Sequence, residues 1–196
     1  LPDRCPMGAI LQSAKVLQKK IEKMGKPSEP RPAKLFMSLI TGEDDIFYQG
    51  MEGLKKDFGK IDFVSEKLPF DFTDYYAEEM GGNLFRHFIT FEHLVSRDSL
   101  PDIKLTTNRL EEKFAGSGGN RRINIDPGYL CQAHVILATT KGYAHRPYLA
   151  KGIYADLTFI YRNKSFQPLD WTYPDYRQER TIQLFNRLRK GYLNNL

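Results

Sequence analysis

Cysteine is nearly absent: Cys5 and Cys131 are the only two in 196 residues. Two residues so far apart make neither a disulfide framework nor a four-ligand zinc set, and such sparse use suits a reducing, cytoplasmic setting. Long apolar runs are missing as well. None approaches the roughly 18 residues that a membrane-spanning helix needs, so no membrane span is expected, and the opening Leu1-Pro2-Asp3-Arg4 has no signal-peptide pattern. Chemical motifs of known mechanism are the third absence. Gly53 and Gly59-Lys60 are one residue too far apart for a phosphate-wrapping P-loop, and Ile61 stands where Ser or Thr should. Asn163-Lys164-Ser165-Phe166 lacks the Asp of a guanine-reading Asn-Lys-x-Asp run. The glycines of 116–119 lie between a helix and a strand, the wrong order for a dinucleotide fold. His87, His93, His134 and His145 form no His-Glu-x-x-His pair, and no Gly-x-Ser-x-Gly elbow exists.

What is present suits a packed α+β chain. Hydrophobic residues make up 41% and aromatics 13%, ample for a core that buries roughly 70% of the unfolded surface. The formal charge of +5 favours anionic partners, but Lys15, Lys19, Lys20, Lys23 and Lys26, offset by Glu22, carry most of it on the N-terminal extension. There, Ile10, Ala14, Leu17, Ile21 and Met24 recur at steps of four and three, which predicts an amphipathic helix over residues 7–25. The stripe over 10–24 can dock on its own domain, pair two copies into a homodimer, or lie on a membrane surface, for which it lacks a large aromatic anchor. Lys26-Pro27-Ser28-Glu29-Pro30-Arg31-Pro32 reads as a linker. The expected division is thus an extension, residues 1–32, and a single α+β domain, residues 33–196.

Within that domain the pattern predicts a strand over 34–41 and a helix over 43–58 with Phe47, Met51, Leu54 and Phe58 on one face and Gly59 as its stop. Strands follow over 61–66 and 84–93, with an irregular stretch, 68–82, between them. A helix over 100–115 has Ser99 as its cap and Pro101 in its first turn. A strand over 121–126 then ends at a turn, Pro127-Gly128. This β-α-β-β-α-β order predicts a ferredoxin-like core. Antiparallel strands and a C-terminal helix extend it: 134–140, then 153–162, with Asn163-Lys164 turning into 165–169, and a helix over 176–193 with Ile182, Phe185, Leu188 and Tyr192 inward. Strict alternation along 153–162 puts Ile153, Ala155, Leu157, Phe159 and Tyr161 on one face and Tyr154, Asp156, Thr158 and Ile160 on the other.

Polar residues concentrate where these strands end. Lys141 and Arg146, five apart, can hold one anion across a turn. Asp126 and Asp156 are candidate bases and His145 a candidate proton donor. Asp71 and Asp74, in the loop before the third strand, and Tyr154 complete the expected ligand-binding set. Asp71, Asp126 and Asp156 are also the candidate metal ligands, although no metal or cofactor is assigned. Each has a plainer reading: Asp126 as a turn former before Pro-Gly, Asp156 as a solvated strand residue, His145 as a loop residue, and the segment 171–176 as packing for the last helix.

Several of these stretches carry a resemblance: Pro69-Phe70-Asp71-Phe72-Thr73-Asp74-Tyr75-Tyr76, Asp102-Ile103-Lys104-Leu105, Ile125-Asp126-Pro127-Gly128-Tyr129-Leu130, Leu137-Ala138-Thr139-Thr140-Lys141, Ala144-His145-Arg146, Gly152-Ile153-Tyr154-Ala155 and Trp171-Thr172-Tyr173-Pro174-Asp175-Tyr176. Together they resemble the prokaryotic family called domain of unknown function 4416, from about Lys34 to the C-terminus. The resemblance implies no catalytic residue. Members of that family sometimes carry a GTP-binding label, for which this chain lacks the nucleotide motifs.

Three functions follow. The first is an enzyme or binding protein for a small anionic ligand, phosphorylated or nucleotide-like, using the polar set above. The second is RNA binding on an open sheet face, where Arg86, Phe88 and Thr90 share one side of a strand. No RNP-type run supports it. The third is a structural or adaptor role with the N-terminal helix as a dimerising arm. The first is the expectation carried forward.

Overall fold

In the computed structural model, which describes residues 25–73, 76–116 and 118–196, the apolar run near the start of the domain forms strand β1 (Ala33–Thr41), buried along its whole length. Burial on that scale requires cover on both faces. Alternation sends Leu35, Met37 and Leu39 to one face and Phe36, Ser38 and Ile40 to the other. The chain continues as α1 (Asp44–Phe58), β2 (Ile61–Val64), β3 (Leu68–Pro69), the short α2 (Ala77–Met80), β4 (Phe85–Val95), α3 (Leu100–Lys113), β5 (Ile123–Leu130), β6 (His134–Thr139), β7 (Tyr148–Ala150), β8 (Ile153–Arg162), β9 (Ser165–Pro168) and α4 (Glu179–Asn194). These elements belong to one compact unit, Arg31–Leu196. The stripe over 10–24, and Asp74 of the candidate site, lie outside the described residues.

The architecture is α+β. One antiparallel sheet runs β2-β4-β1-β5-β6-β8-β7, with β3 added to β4 and β9 to β8. On one face, Ile46, Phe47 and Leu54 of α1 and Ile103 and Leu110 of α3 pack on Leu35, Met37, Leu39, Ile89 and Ile125. On the other, Leu184, Phe185 and Tyr192 of α4 cover Phe36, Phe88, Val135 and Phe159. Gly59, at φ 87, closes α1 by donating its N–H to Lys55 O, as its position after the last apolar residue predicts. Asn163 (φ 51) and Lys164 (φ 66) make the expected hairpin turn, whose positive φ values suit the strand twist. No helix among the described residues is long and apolar enough to cross a membrane.

Four local expectations need correction. Ser99 does not cap α3: a 3-10 turn, Arg97–Ser99, runs straight into the helix, and Ser99 Oγ donates back to Ser96 O. The last helix begins at Glu179 rather than 176. Asp126-Pro127-Gly128 is not a turn but the middle of β5. Gly128 lies against Ile136 O and the Phe36 ring, where a Cβ would sit 2.6 Å from Phe36 Cζ, so only glycine lets β1, β5 and β6 approach. Pro127 points its missing N–H away from β1, as Ile125 points its N–H to Glu111. The fourth correction is a bulge. Val135 pairs with Phe159 but Ile136 pairs with Leu157, so Thr158 is an extra residue in β8 and the faces exchange there. Ile153 and Ala155 pack beside Leu100, while Phe159 packs under α4. Asp156 thus shares a sheet face with Phe159 rather than opposing it.

Candidate functional site

The sheet is open in its middle. β5 and β6 pair only between Gly128–Leu130 and Val135–Leu137, so the first half of β5 has an unpaired edge. Side chains of α3 complete that edge. Ile125 N–H donates to Glu111 Oε1 at 2.6 Å, and Lys104 Nζ donates to Ile125 O at 2.9 Å. The backbone requirement of a strand edge is thereby met without a neighbouring strand. A cleft of about 910 Å³ opens at this gap, between α3 and β5, Phe70, Phe72, Thr73 and Tyr76, the 139–146 loop and the 171–176 segment.

One wall is a chain of alternating charges. Glu79 accepts from Arg121 Nη2 at 2.5 Å, Arg121 Nη1 donates to Asn124 Oδ1 at 3.1 Å, and Asn124 Nδ2 donates to Asp126 Oδ2 at 2.7 Å. Lys104 then bridges Asp126 (3.2 Å) and Glu111 (3.9 Å). Hydrogen bonds from Arg121 hold the Glu79 carboxyl below its ordinary range. Glu111 goes the other way. Burial pushes its carboxyl up to about 7, against the pull of Lys104 and with the Asp126 charge assisting. It is a carboxyl poised to gain or lose a proton near neutrality, the property expected of a general acid or base. Burial also raises the Tyr76 phenol, which faces the same wall.

The opposite wall is held by one buried ion pair. Asp156 accepts from Arg146 Nε at 2.8 Å, and both side chains are at least 95% buried. Arg146 spends its other nitrogens on Lys141 O (3.2 Å) and the Tyr173 hydroxyl (2.8 Å). His145 is stacked between Tyr143 (6.0 Å) and Trp171 (5.0 Å). Its Nε2 is buried without a hydrogen bond, 3.8 Å from Asp156 Oδ2. Trp171 is anchored through Nε1 to Leu157 O at 2.9 Å. Tyr143, Trp171 and Tyr173 nevertheless remain exposed, giving the cleft an aromatic rim. On the floor, Arg86 pairs with Asp175, and Tyr176 packs against Phe88 at 5.4 Å.

Of the residues expected from sequence, Asp126, Lys141, His145, Arg146 and Asp156 line this cleft. Tyr154 does not. Its ring lies beneath Gly142, where a Cβ would be 3.0 Å from Tyr154 Cζ, so it props up the 139–146 loop. Asp71 is exposed on its loop and lines no part of the cleft. Among the described residues no group of three His, Cys, Asp or Glu side chains is placed to hold a metal, so Asp71, Asp126 and Asp156 do not converge as ligands. Asp126 and Asp156 are neither turn former nor solvated strand residue: each faces the cleft, and each is bonded to a cation. Sequence reasoning missed Lys104, Glu111, Arg121 and Arg86 as site residues. Lys104 and Glu111 are seven apart on α3, two turns along one stripe, and flank the apolar positions Ile103 and Leu110. Two opposite charges beside an apolar stripe were the available signal.

Neither a curated protein nor a solved structure matches the chain. The model of one family does, over residues 31–192, which include every residue of both walls: the chain belongs to the domain of unknown function family DUF4416.

Proposed function

We propose that the protein binds a small anionic ligand, phosphorylated or nucleotide-like, in the cleft between α3 and the 139–146 loop, and that Glu111 exchanges a proton there. The observation that carries the proposal is the cleft itself. Its 910 Å³ falls in the range of small-molecule sites, and His145, whose buried Nε2 has no hydrogen bond in the protein, lines it. The exposed Tyr143, Trp171 and Tyr173 at the rim offer faces for a ring. The strand order β2-β4-β1-β5, with α1 and α3 on one face, supports reading the first half as a ferredoxin-like unit whose last strand supplies one wall. Base stacking on the sheet face has less support, because Phe88 lies buried under Phe185 and Tyr176.

Trp171 is the only tryptophan, so its fluorescence is a built-in reporter. Titration with nucleoside monophosphates and sugar phosphates is expected to give a saturable change, larger than with the matching nucleosides and free sugars. No change with any phosphorylated compound would remove the proposal.

A further inference from the structure

We propose that the inner end of this cleft is an oxyanion subsite, in which Arg86 and Tyr176, backed by Ser38, receive the anionic oxygens of the ligand, phosphate or carboxylate. The inference deepens the reading of the cleft as a ligand site and rests on it. It also moves the anion away from the residues that spacing suggested. Arg146 has Nε, Nη1 and Nη2 all bonded within the protein. Arg121 is likewise engaged by Glu79 and Asn124. Arg86 differs, because its Nε is buried without an acceptor although the residue is only 7% exposed.

Two hydroxyls lie beside it. Ser38 Oγ and Tyr176 OH are buried, with Ser38 and Arg86 both turned toward the phenol oxygen and no acceptor from outside this group. Ser38 pairs with Phe88 across β1 and β4, and alternation puts it on the same sheet face as Arg86. The Arg86 guanidinium stands 5.0 Å from the Tyr176 ring and 4.8 Å from that of Phe70. Burial raises the Tyr176 phenol above its ordinary value, so the hydroxyl keeps its proton and can donate. The Arg86 Nε and the Tyr176 hydroxyl are therefore available as donors to a group from outside, and Asp175 occupies one side of the guanidinium only. A buried donor without an acceptor is costly, so a corner holding these donors and the single carboxylate of Asp175 points to an acceptor-rich group arriving from outside. A guanidinium with two hydroxyls matches the geometry of a phosphate or carboxylate. The Phe70 and Tyr176 rings against the guanidinium lower the local dielectric, which strengthens each bond.

The test uses inorganic phosphate and acetate as probes, read by thermal shift and by calorimetry on the full chain. Wild type should gain stability with either anion, saturably. Tyr176→Phe removes one oxygen and nothing else. It should still fold without ligand, losing only the hydroxyl's contacts with Ser38 and Arg86, and should bind the anion about tenfold more weakly, the loss of one hydrogen bond. Ser38→Ala should behave alike, and Arg86→Gln should abolish the effect. A general salting effect of phosphate would act equally on all variants, so anion binding unchanged by Tyr176→Phe and Ser38→Ala overturns the subsite. If Trp171 still responds to nucleoside monophosphates with unchanged affinity in those variants, the cleft reading stands and only the subsite falls. If neither anions nor nucleotides bind wild type, both fall.

Discussion

On the α3 side of the cleft, Lys104 stands between two carboxylates, Asp126 and Glu111, at 3.2 and 3.9 Å. On the 139–146 side, Arg146 is closed around one carboxylate, Asp156, at 2.8 Å, with its remaining donors taken by Lys141 O and Tyr173. The first wall has more negative charge than its lysine can satisfy, and burial leaves Glu111 near neutrality. The second is locked, because each partner would be left as an uncompensated buried charge without the other. Two ionic arrangements facing one cavity therefore do different work. The α3 wall can change protonation state while keeping its shape, and the loop wall can keep its shape because its charges are fixed.

Breaking each wall in turn tests that contrast. Arg146→Met leaves Asp156, 2% exposed, without its cation and should cost about 3–5 kcal/mol in urea unfolding. Lys104→Met leaves Asp126 partly solvated and Glu111 able to take up a proton. The expected loss there is smaller, about 1–2 kcal/mol, from the unsatisfied Ile125 carbonyl. Equal costs would mean that the two walls are held alike and that the distinction drawn from their geometry is wrong.

The proton on Glu111 sharpens the comparison. In the unfolded chain this carboxyl ionises near 4.5, and in the folded protein near 7. Between those values the native state binds more protons, so this group's contribution is complete below pH 4.5 and is lost as pH rises to 7. The difference corresponds to about 3 kcal/mol. Glu111→Gln keeps an oxygen for Ile125 N–H and cannot titrate. Wild-type stability minus variant stability should therefore fall by about 3 kcal/mol between pH 4.5 and 7. Subtraction also cancels Glu79, whose bond to Arg121 gives the opposite dependence at lower pH. A flat difference would show that Glu111 ionises normally and would remove its proposed role in proton exchange.

Periodicity made the long elements legible in the sequence, because a half-buried helix or strand must repeat its apolar residues. β1, α1, β4, α3, β8 and α4 appear close to where spacing puts them. What stayed illegible depends on contacts between distant segments. Pro127-Gly128 has the local signature of a turn, yet the reason for the glycine is the approach of Phe36 and Ile136. Strict alternation along β8 fails at Thr158, because a bulge is set by the partner strand rather than by the bulged residues. In the site, the five loop and strand residues that line the cleft stood out as charges in apolar surroundings. Arg86, at the start of β4, and Lys104 and Glu111, on a helix, look like ordinary surface charges until the opening between β5 and β6 gives them a cleft to face. Tyr154 shows the converse: its place near Asp156 in sequence suggests a ligand contact, while its ring supports Gly142.

The smallest expected effects lie at the rim, where the loop wall meets solvent. Tyr143 is 61% exposed, and Tyr143→Ala should change stability by no more than about 0.5 kcal/mol. Trp171→Phe keeps a ring over His145 but loses the bond to Leu157 O, a cost of about 1 kcal/mol. If the rim serves a ligand ring, both variants should weaken nucleoside monophosphate binding by calorimetry more than they weaken the binding of inorganic phosphate, which has no ring to stack. Parallel losses for the two probes would instead assign Tyr143 and Trp171 to the support of His145 and the loop, and would place all recognition on the floor and the α3 wall.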